Sequence, residues 1–420
     1  MKNLSKNDLL YPPPSFGNIF LIYPWAGMVK DKFTLILNTI SNIFIGKYIF
    51  SETEIRKKLT SYFPSDKTIF VDSGRSAILL AIQGLGISNG DEVIISSFNC
   101  PAVIDPIITS GATPILIDCN TICGINTTLF KKAINRQTKA VILTNIYGLL
   151  DERDEIRKII GSHKIAIIND LSQSLIVPGL NPFFFRHDEV YIFSFGPEKH
   201  IYCFGGGAIF STDSHLITEI KDIVPSDIVS DSDLFEIMLN RIKYYLTLLI
   251  HARLRFLANI LEKISLIFRF TTGKSISDPG FSERVVIRRM NPIQMAILLR
   301  KLRLFEKHSF VSVSNYEKLK TRIASIKNIE LLKGTTINPL YFTIIVNSSR
   351  YKLSKYLSLL SIPTVWNYIP LHILPRYKKY SIGNFINSNS LWKNVLSVPF
   401  RFPINTKQLN IIVNSLNNFS

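Results

Sequence analysis

Two stretches, KIAIINDLSQS at 164–174 and VYIFSFGPEKHIYCFGGGAIFS at 190–211, decide the fold class of this 420-residue chain. Each opens with a β-branched and aromatic run too short for a typical helix and apolar on both faces, as a strand buried in a parallel sheet reads. Each run then stops on polar or glycine-rich sequence. Outward from them the same rhythm holds from about 51 to 235: TIFVD (68–72), the helical SAILLAIQGLG, DEVIISSF (91–98), PAVIDPIITSG, TPILID (113–118), a polar helix, KAVILTN (139–145) and another helix. Strands alternating with helices make βαβ units, hence an α/β fold with a mostly parallel central sheet flanked by helices.

On either side of this large domain (51–235) the pattern changes. Residues 1–50 form an N-terminal arm, rich in proline and aromatics at first (Pro12, Pro13, Pro14, Pro24, Trp25) and then apolar, open to helix or strand. Residues 236–285 read as a basic helical insertion; between 236 and 310, 14 Lys and Arg face five Asp and Glu, half of a net charge of +18. Residues 286–420 read as a smaller C-terminal α+β domain, with helices near 315–326, 350–361 and 406–418 and a strand in 340–347.

Composition removes several classes. At 46% hydrophobic, with 20 Gly, 20 Pro and no internal repeat, the chain is neither disordered, collagen-like nor a solenoid. Its four cysteines (Cys100, Cys119, Cys123, Cys203) form no C-x-x-C pair, so neither a disulfide framework nor a zinc site is expected. No signal-peptide pattern opens the sequence, and no window of about 18 residues lacks charged or strongly polar groups, so the expectation is cytoplasmic. The basic stretch 241–270 has three readings: a subunit interface, a peripheral helix on the inner membrane face, or a cover over a substrate channel. Nucleic acid explains the charge poorly, because the aromatics lie in apolar runs rather than among the cations. An anionic substrate steered by a positive field is the simpler partner.

In an open α/β sheet, ligands lie outside the carboxyl ends of the strands. The strand TIFVD runs into Ser73-Gly74-Arg75-Ser76 at a helix start, which is either an ordinary capped turn or a cradle whose N–H groups hold phosphate. KIAIIND ends in Asp170, a carboxylate costly to bury without a cation or hydrogen bonds. Lys199 lies 29 residues later, after Ser194 and before Gly205-Gly206-Gly207, placed to be partly desolvated as a Schiff-base lysine must be. A phosphate cradle, an acid for a pyridinium nitrogen and a lysine for an aldehyde together fit pyridoxal 5'-phosphate.

The pieces SGRSAILLAIQGLGISNGDEVIISSF, TKAVILTNIYGLLDERDEI, INDLSQS, FSFGPEKH with GGGAIFS, RRMNPIQMAIL, and YIPLH with LSVPF resemble, in this order, the DegT/StrS family of sugar aminotransferases. The resemblance implies a fold type I pyridoxal-phosphate transferase working as a homodimer on a nucleotide-activated sugar, with an amino donor such as L-glutamate. It implies that Lys199 carries the cofactor and moves the substrate proton, that Asp170 pairs with the ring nitrogen, and that Gln173 lies near the ring hydroxyl. Ser194 and the Gly74, Arg75 and Ser76 amides would hold the phosphate. Cys100 stands where the family has an aromatic residue stacked on the ring. Arg75, Asn145, Ile287 and Asn367 also depart from the pattern, with Arg75 or Arg288 as replacement phosphate ligands. His200, His372 and Tyr147 are candidate substrate contacts. The same fold leaves open a sugar dehydratase, a condensing enzyme or a non-catalytic relative, although relatives that dehydrate typically carry histidine in place of the lysine.

Overall fold

The computed structural model describes residues 52–174, 176–196, 199–240, 285–336, 338–360, 362, 364–400 and 406–419. The arm at 1–50 lies outside these residues, as do 241–284, so the interface, membrane and channel-cover readings of 241–270 are not addressed by it. Residues 231–240, just before that gap, are helical. Among the described residues no helix is long and apolar enough to cross a membrane.

Runs of Ile, Val and Leu that are apolar on both faces pair where both faces can be covered. The strands β1 (Thr68–Val71), β2 (Glu92–Ser96), β3 (Thr113–Ile117), β4 (Thr138–Thr144), β5 (Ala166–Asp170), β6 (Glu189–Ser194) and β7 (Gly207–Phe210) form one sheet in the order β1-β7-β6-β5-β4-β2-β3. All neighbours are parallel except β7, which runs antiparallel to β1 and to β6. Successive residues face opposite sides. Val93, Ile95, Ile142 and Ile168 pack under the helices α2 (Gly74–Gly84) and α3 (Pro101–Thr109), while Ile94, Val141, Leu143 and Ile167 pack on the other side with Phe130 and Ile156. Phe130 belongs to α4 (Thr127–Ala133) and Ile156 to α5 (Arg153–Ile160). Each such side chain, less than a tenth exposed, stabilises the fold by about 1.5–3 kcal/mol. Beyond β7, α6 (Ser214–Ile223) closes over α2, and α1 (Glu52–Leu59) lies on the aromatic side, where Phe63 meets Phe70, Phe193 and Phe195 edge to face.

The second unit is an antiparallel sheet, β10 (Val395–Pro399), β9 (Tyr341–Val346) and β8 (Ile329–Leu331), packed against the helices α7 (Pro292–Ile323), α8 (Arg350–Leu359) and α10 (Thr406–Phe419), with α9 (Ile386–Asn394) beside it. The helix read from sequence near 315–326 begins far earlier, at Pro292. Asn291 accepts the Ile293 N–H, Gln294 reaches back to the Asn291 N–H, and Pro292 occupies the first turn, a complete start signal. The 32-residue α7 serves both cores: Ile293, Leu298, Leu302 and Phe305 pack with the large sheet's aromatic face, Leu319 and Ile323 with the small sheet. The seam between the units is apolar, with Phe98, Ile146, Tyr147 and Leu149 of the large unit in one cluster with Tyr341, Trp366 and Trp392.

Candidate active site

Register brings the phosphate turn to Ser194. Gly207 is opposite Val71 in β1 and opposite Ser194 in β6, so the chain leaving β1 runs directly past the end of β6. This approach needs glycine twice. A Cβ on Gly207 would lie 2.5 Å from the Ser73 carbonyl oxygen, and one on Gly74 would lie 2.9 Å from Ser194 Cβ. Ser73 caps α2, its Oγ accepting the Ser76 N–H at 3.1 Å, and α2 carries no acid in its first turn, leaving the positive end of its dipole uncompensated. Of the three amides expected to cradle phosphate, that of Ser76 is therefore spent inside the turn, and its hydroxyl donates to the Val286 carbonyl at 3.2 Å. Gly74, Arg75 and the Ser194 hydroxyl form the rest of the corner. The Arg288 guanidinium pairs with Asp233 at 2.6 Å. Ile287 packs against the large core of its own chain.

At the centre of the sheet, Asp170 closes β5 and is 4% exposed. One carboxylate oxygen accepts the Ser172 N–H at 2.9 Å; among the described residues the other takes no hydrogen bond. Asn145, where the resemblance expects histidine, is a bracket here. Its Nδ2 donates to the Asp170 carbonyl at 3.3 Å and its Oδ1 accepts the Asp151 N–H at 3.2 Å. Gln173 is also buried. Its Oε1 accepts the Tyr147 N–H at 2.8 Å, which turns the amide so that Nε2 faces the Tyr368 hydroxyl, at 2.6 Å.

The Lys199 loop folds back through Cys203 N–H to Phe195 O and Phe195 N–H to Gly206 O, at 2.9 and 2.8 Å. Lys199 is half-buried and its charge acts on Cys100, the first residue of the α3 turn. Burial pushes the Cys100 thiol up, the Lys199 ammonium opposes this, and Asp170 adds to it. Burial likewise holds the Tyr368 phenol well above its ordinary value, with Cys100, Tyr341, Tyr147 and Asp170 contributing in the same direction. Lys199, Asp170, Cys100, Gln173 and Tyr368 thus form one cluster at the strand ends.

The three candidate substrate contacts fare differently. Tyr147 is 2% exposed with φ at +60°, and its hydroxyl donates to the Asn367 carbonyl. His372 is engaged elsewhere: Nδ1 is 2.7 Å from Ser97 Oγ, and the ring stacks on Phe385 at 4.0 Å, while burial lowers its pKa against an opposing hydrogen bond with Asn389. His200 follows Lys199 on the loop, half-buried. Tyr368 was missed from the sequence, although it stands in the YIPLH piece; its partner Gln173 is 195 positions away, beyond any local pattern.

These residues fit pyridoxal phosphate. Glycines that leave room at a helix N-terminus beside a serine hydroxyl suit a phosphate, and a buried carboxylate with an open oxygen suits a protonated ring nitrogen. Lys199 would carry the aldehyde.

Comparison with known proteins agrees. A 31% identical segment of 199 residues is shared with the UDP-2-acetamido-2-deoxy-3-oxo-D-glucuronate aminotransferase of Pseudomonas aeruginosa, covering 46% of this chain and 55% of that protein. Another of 180 residues, also 31% identical, is shared with the dTDP-3-amino-3,4,6-trideoxy-alpha-D-glucose transaminase of Streptomyces venezuelae, covering 42% and 48%. The chain matches about half the length of these curated relatives. Over 94% of its length it superposes on 96% of the crystal structure of S. venezuelae DesV in complex with a ketimine intermediate, with TM-score 0.69 at 20% identity, so the two chains share a fold. The DegT/DnrJ/EryC1/StrS aminotransferase family profile matches residues 41–235 and 261–417, and the chain belongs to that family.

Proposed function

We propose that this protein is a pyridoxal-phosphate-dependent aminotransferase that moves an amino group, with L-glutamate as donor, onto a keto group of a nucleotide-activated sugar for a surface polysaccharide or glycosylated metabolite. The observation that supports this reading is that Asp170 and Ser194 end adjacent strands, Ser194 lies against the Gly74 turn, and the charges of Lys199 and Asp170 both act on Cys100. The printed names of the two relatives support the substrate class. The +18 net charge suits an anionic substrate. A cytoplasmic homodimer is the assembly we infer from the resemblance.

When bound, pyridoxal phosphate supplies an electron sink for a carbanion next to nitrogen. Asp170 would hold a proton on the ring nitrogen, Gln173 would orient the ring through its hydroxyl side, and the Gly74 turn with Ser194 would fix the phosphate. Lys199 Nζ would hold the aldehyde and, when free of it, would take a proton from the donor's α-carbon and deliver one to the acceptor sugar carbon. With the phosphate held by backbone and hydroxyl groups, Lys199 would remain available for this transfer. Its retention favours amino transfer over dehydration.

The test is the visible spectrum of the protein with pyridoxal phosphate before and after L-glutamate, beside Lys199→Ala. A band that bleaches in wild type and never forms normally in the variant is expected. A band unmoved by any amino donor would point to other chemistry, and no band would refute the cofactor.

A further inference from the structure

The chain segment 364–372 belongs to both units at once. Val365 pairs with Ser397 of β10, while Leu371 N–H donates to the Ser97 carbonyl at the end of β2, at 2.7 Å. Between these ties it passes over the strand ends and sets the Tyr368 phenol against Gln173. The hydrogen-bond inventory there is one-sided. Gln173 cannot flip, because its Oε1 must accept the Tyr147 N–H, so Nε2 donates and the Tyr368 oxygen accepts. The phenol keeps its own hydrogen, for which no acceptor is present among the described residues, and Nε2 keeps a second hydrogen beside it. The titratable and charged groups acting on this phenol are Cys100 from the α3 turn, Tyr147, Asp170 from β5 and Tyr341 from β9, with Lys199 reaching Cys100.

We propose that Tyr368 is a positioning residue of this site, its phenol and the Gln173 carboxamide together forming a two-donor cradle for the ring oxygen of the pyridoxal group. This rests on the cofactor assignment above. When the cofactor is bound, its ring oxygen would become more anionic as the nitrogen held by Lys199 gives up its proton, and would then depend most on outside donors. Two donors therefore ease loss of the proton, and removing one resists it.

The experiment is a pH titration, from 5 to 10, of the visible band of wild type, Tyr368→Phe and Ser97→Ala, each loaded with pyridoxal phosphate. Tyr368→Phe keeps the ring and removes only the donor, so the midpoint should rise by about one pH unit, tenfold in the proton equilibrium. Ser97→Ala loosens the far end of the same segment, where Ser97 Oγ meets His372, and should leave the midpoint in place. A Tyr368→Phe midpoint equal to wild type, or an equal rise in Ser97→Ala, would overturn the cradle. A wild type that takes up no cofactor would overturn the assignment beneath it and this inference with it, which separates the two failures.

Discussion

Gly207→Ala is the most direct probe of the phosphate corner. The new methyl would sit 2.5 Å from the Ser73 carbonyl oxygen and 2.8 Å from Gly74 N, both backbone atoms with no rotamer to yield. Relieving this means separating the β1–α2 turn from β7 by at least about half an ångström, and overpacking of that kind costs about 1–3 kcal/mol. In a domain of this size that is a fall of roughly 2–10 °C in Tm. The same shift carries the turn away from Ser194. If it removes one charge-assisted hydrogen bond to phosphate, about 1.5–3 kcal/mol, the Kd for pyridoxal phosphate rises roughly ten- to hundredfold. Gly84→Ala is the control, since the atoms nearest its methyl belong to the Ile220 side chain, the first at 2.2 Å, at the far end of α2. It should lose comparable Tm and bind cofactor within about twofold of wild type. Fluorescence titration of apoprotein gives Kd and calorimetry gives Tm. A Gly207→Ala protein that melts early but binds cofactor like wild type, or a Gly84→Ala protein that loses as much affinity, would refute the reasoning.

Two further expectations test stability away from the ligand. Burial raises the Asp151 carboxyl to about 7, so between about pH 4 and 7 the native state holds a proton that the unfolded chain releases. Stability from this group is present below that window and lost as pH rises through it. Asp151→Asn keeps an Oδ1 to accept the Ile125 and Glu152 N–H groups, so it should be more stable than wild type at pH 8 and lose that advantage by about pH 4 in urea melts; a constant difference would contradict the assignment. Glu189 is 1% exposed and bound by Arg153, Arg157, Asn169 and Tyr191 at the start of β6, so Glu189→Ala should cost about 3–5 kcal/mol by leaving two arginines without their buried partner. Because Ser194 is at the other end of that strand, cofactor affinity of the folded variant should hold, and a parallel loss would show the sheet to be less rigid than argued.

The sheet was largely legible because its strands are short, β-branched and bounded by glycine, proline or asparagine: TPILID at 113–118 became β3 at 113–117 and KIAIIND became β5 at 166–170. Burial on both faces leaves such segments little alternative. Strand ends carry position with them, so Asp170 and Ser194 were placed by the same reading. What escaped depends on partners far along the chain. Asn145 reads as a substitution in sequence, and only the fold shows it binding both Asp151 and Asp170. Tyr368 has no local signature, since its role comes from Gln173 across the seam. The early start of α7 was available locally, in Asn291-Pro292 and Gln294.

The shared helix α7 has a mechanical meaning. At 32 residues it is about 48 Å long, with Ile293 to Phe305 packed in one core and Leu319 and Ile323 in the other. Neither unit can melt without stripping partners from the other, so the pair should denature as one cooperative transition rather than two. For the same reason, gross hinge bending between the units would tear apolar contacts at both ends of a stiff rod.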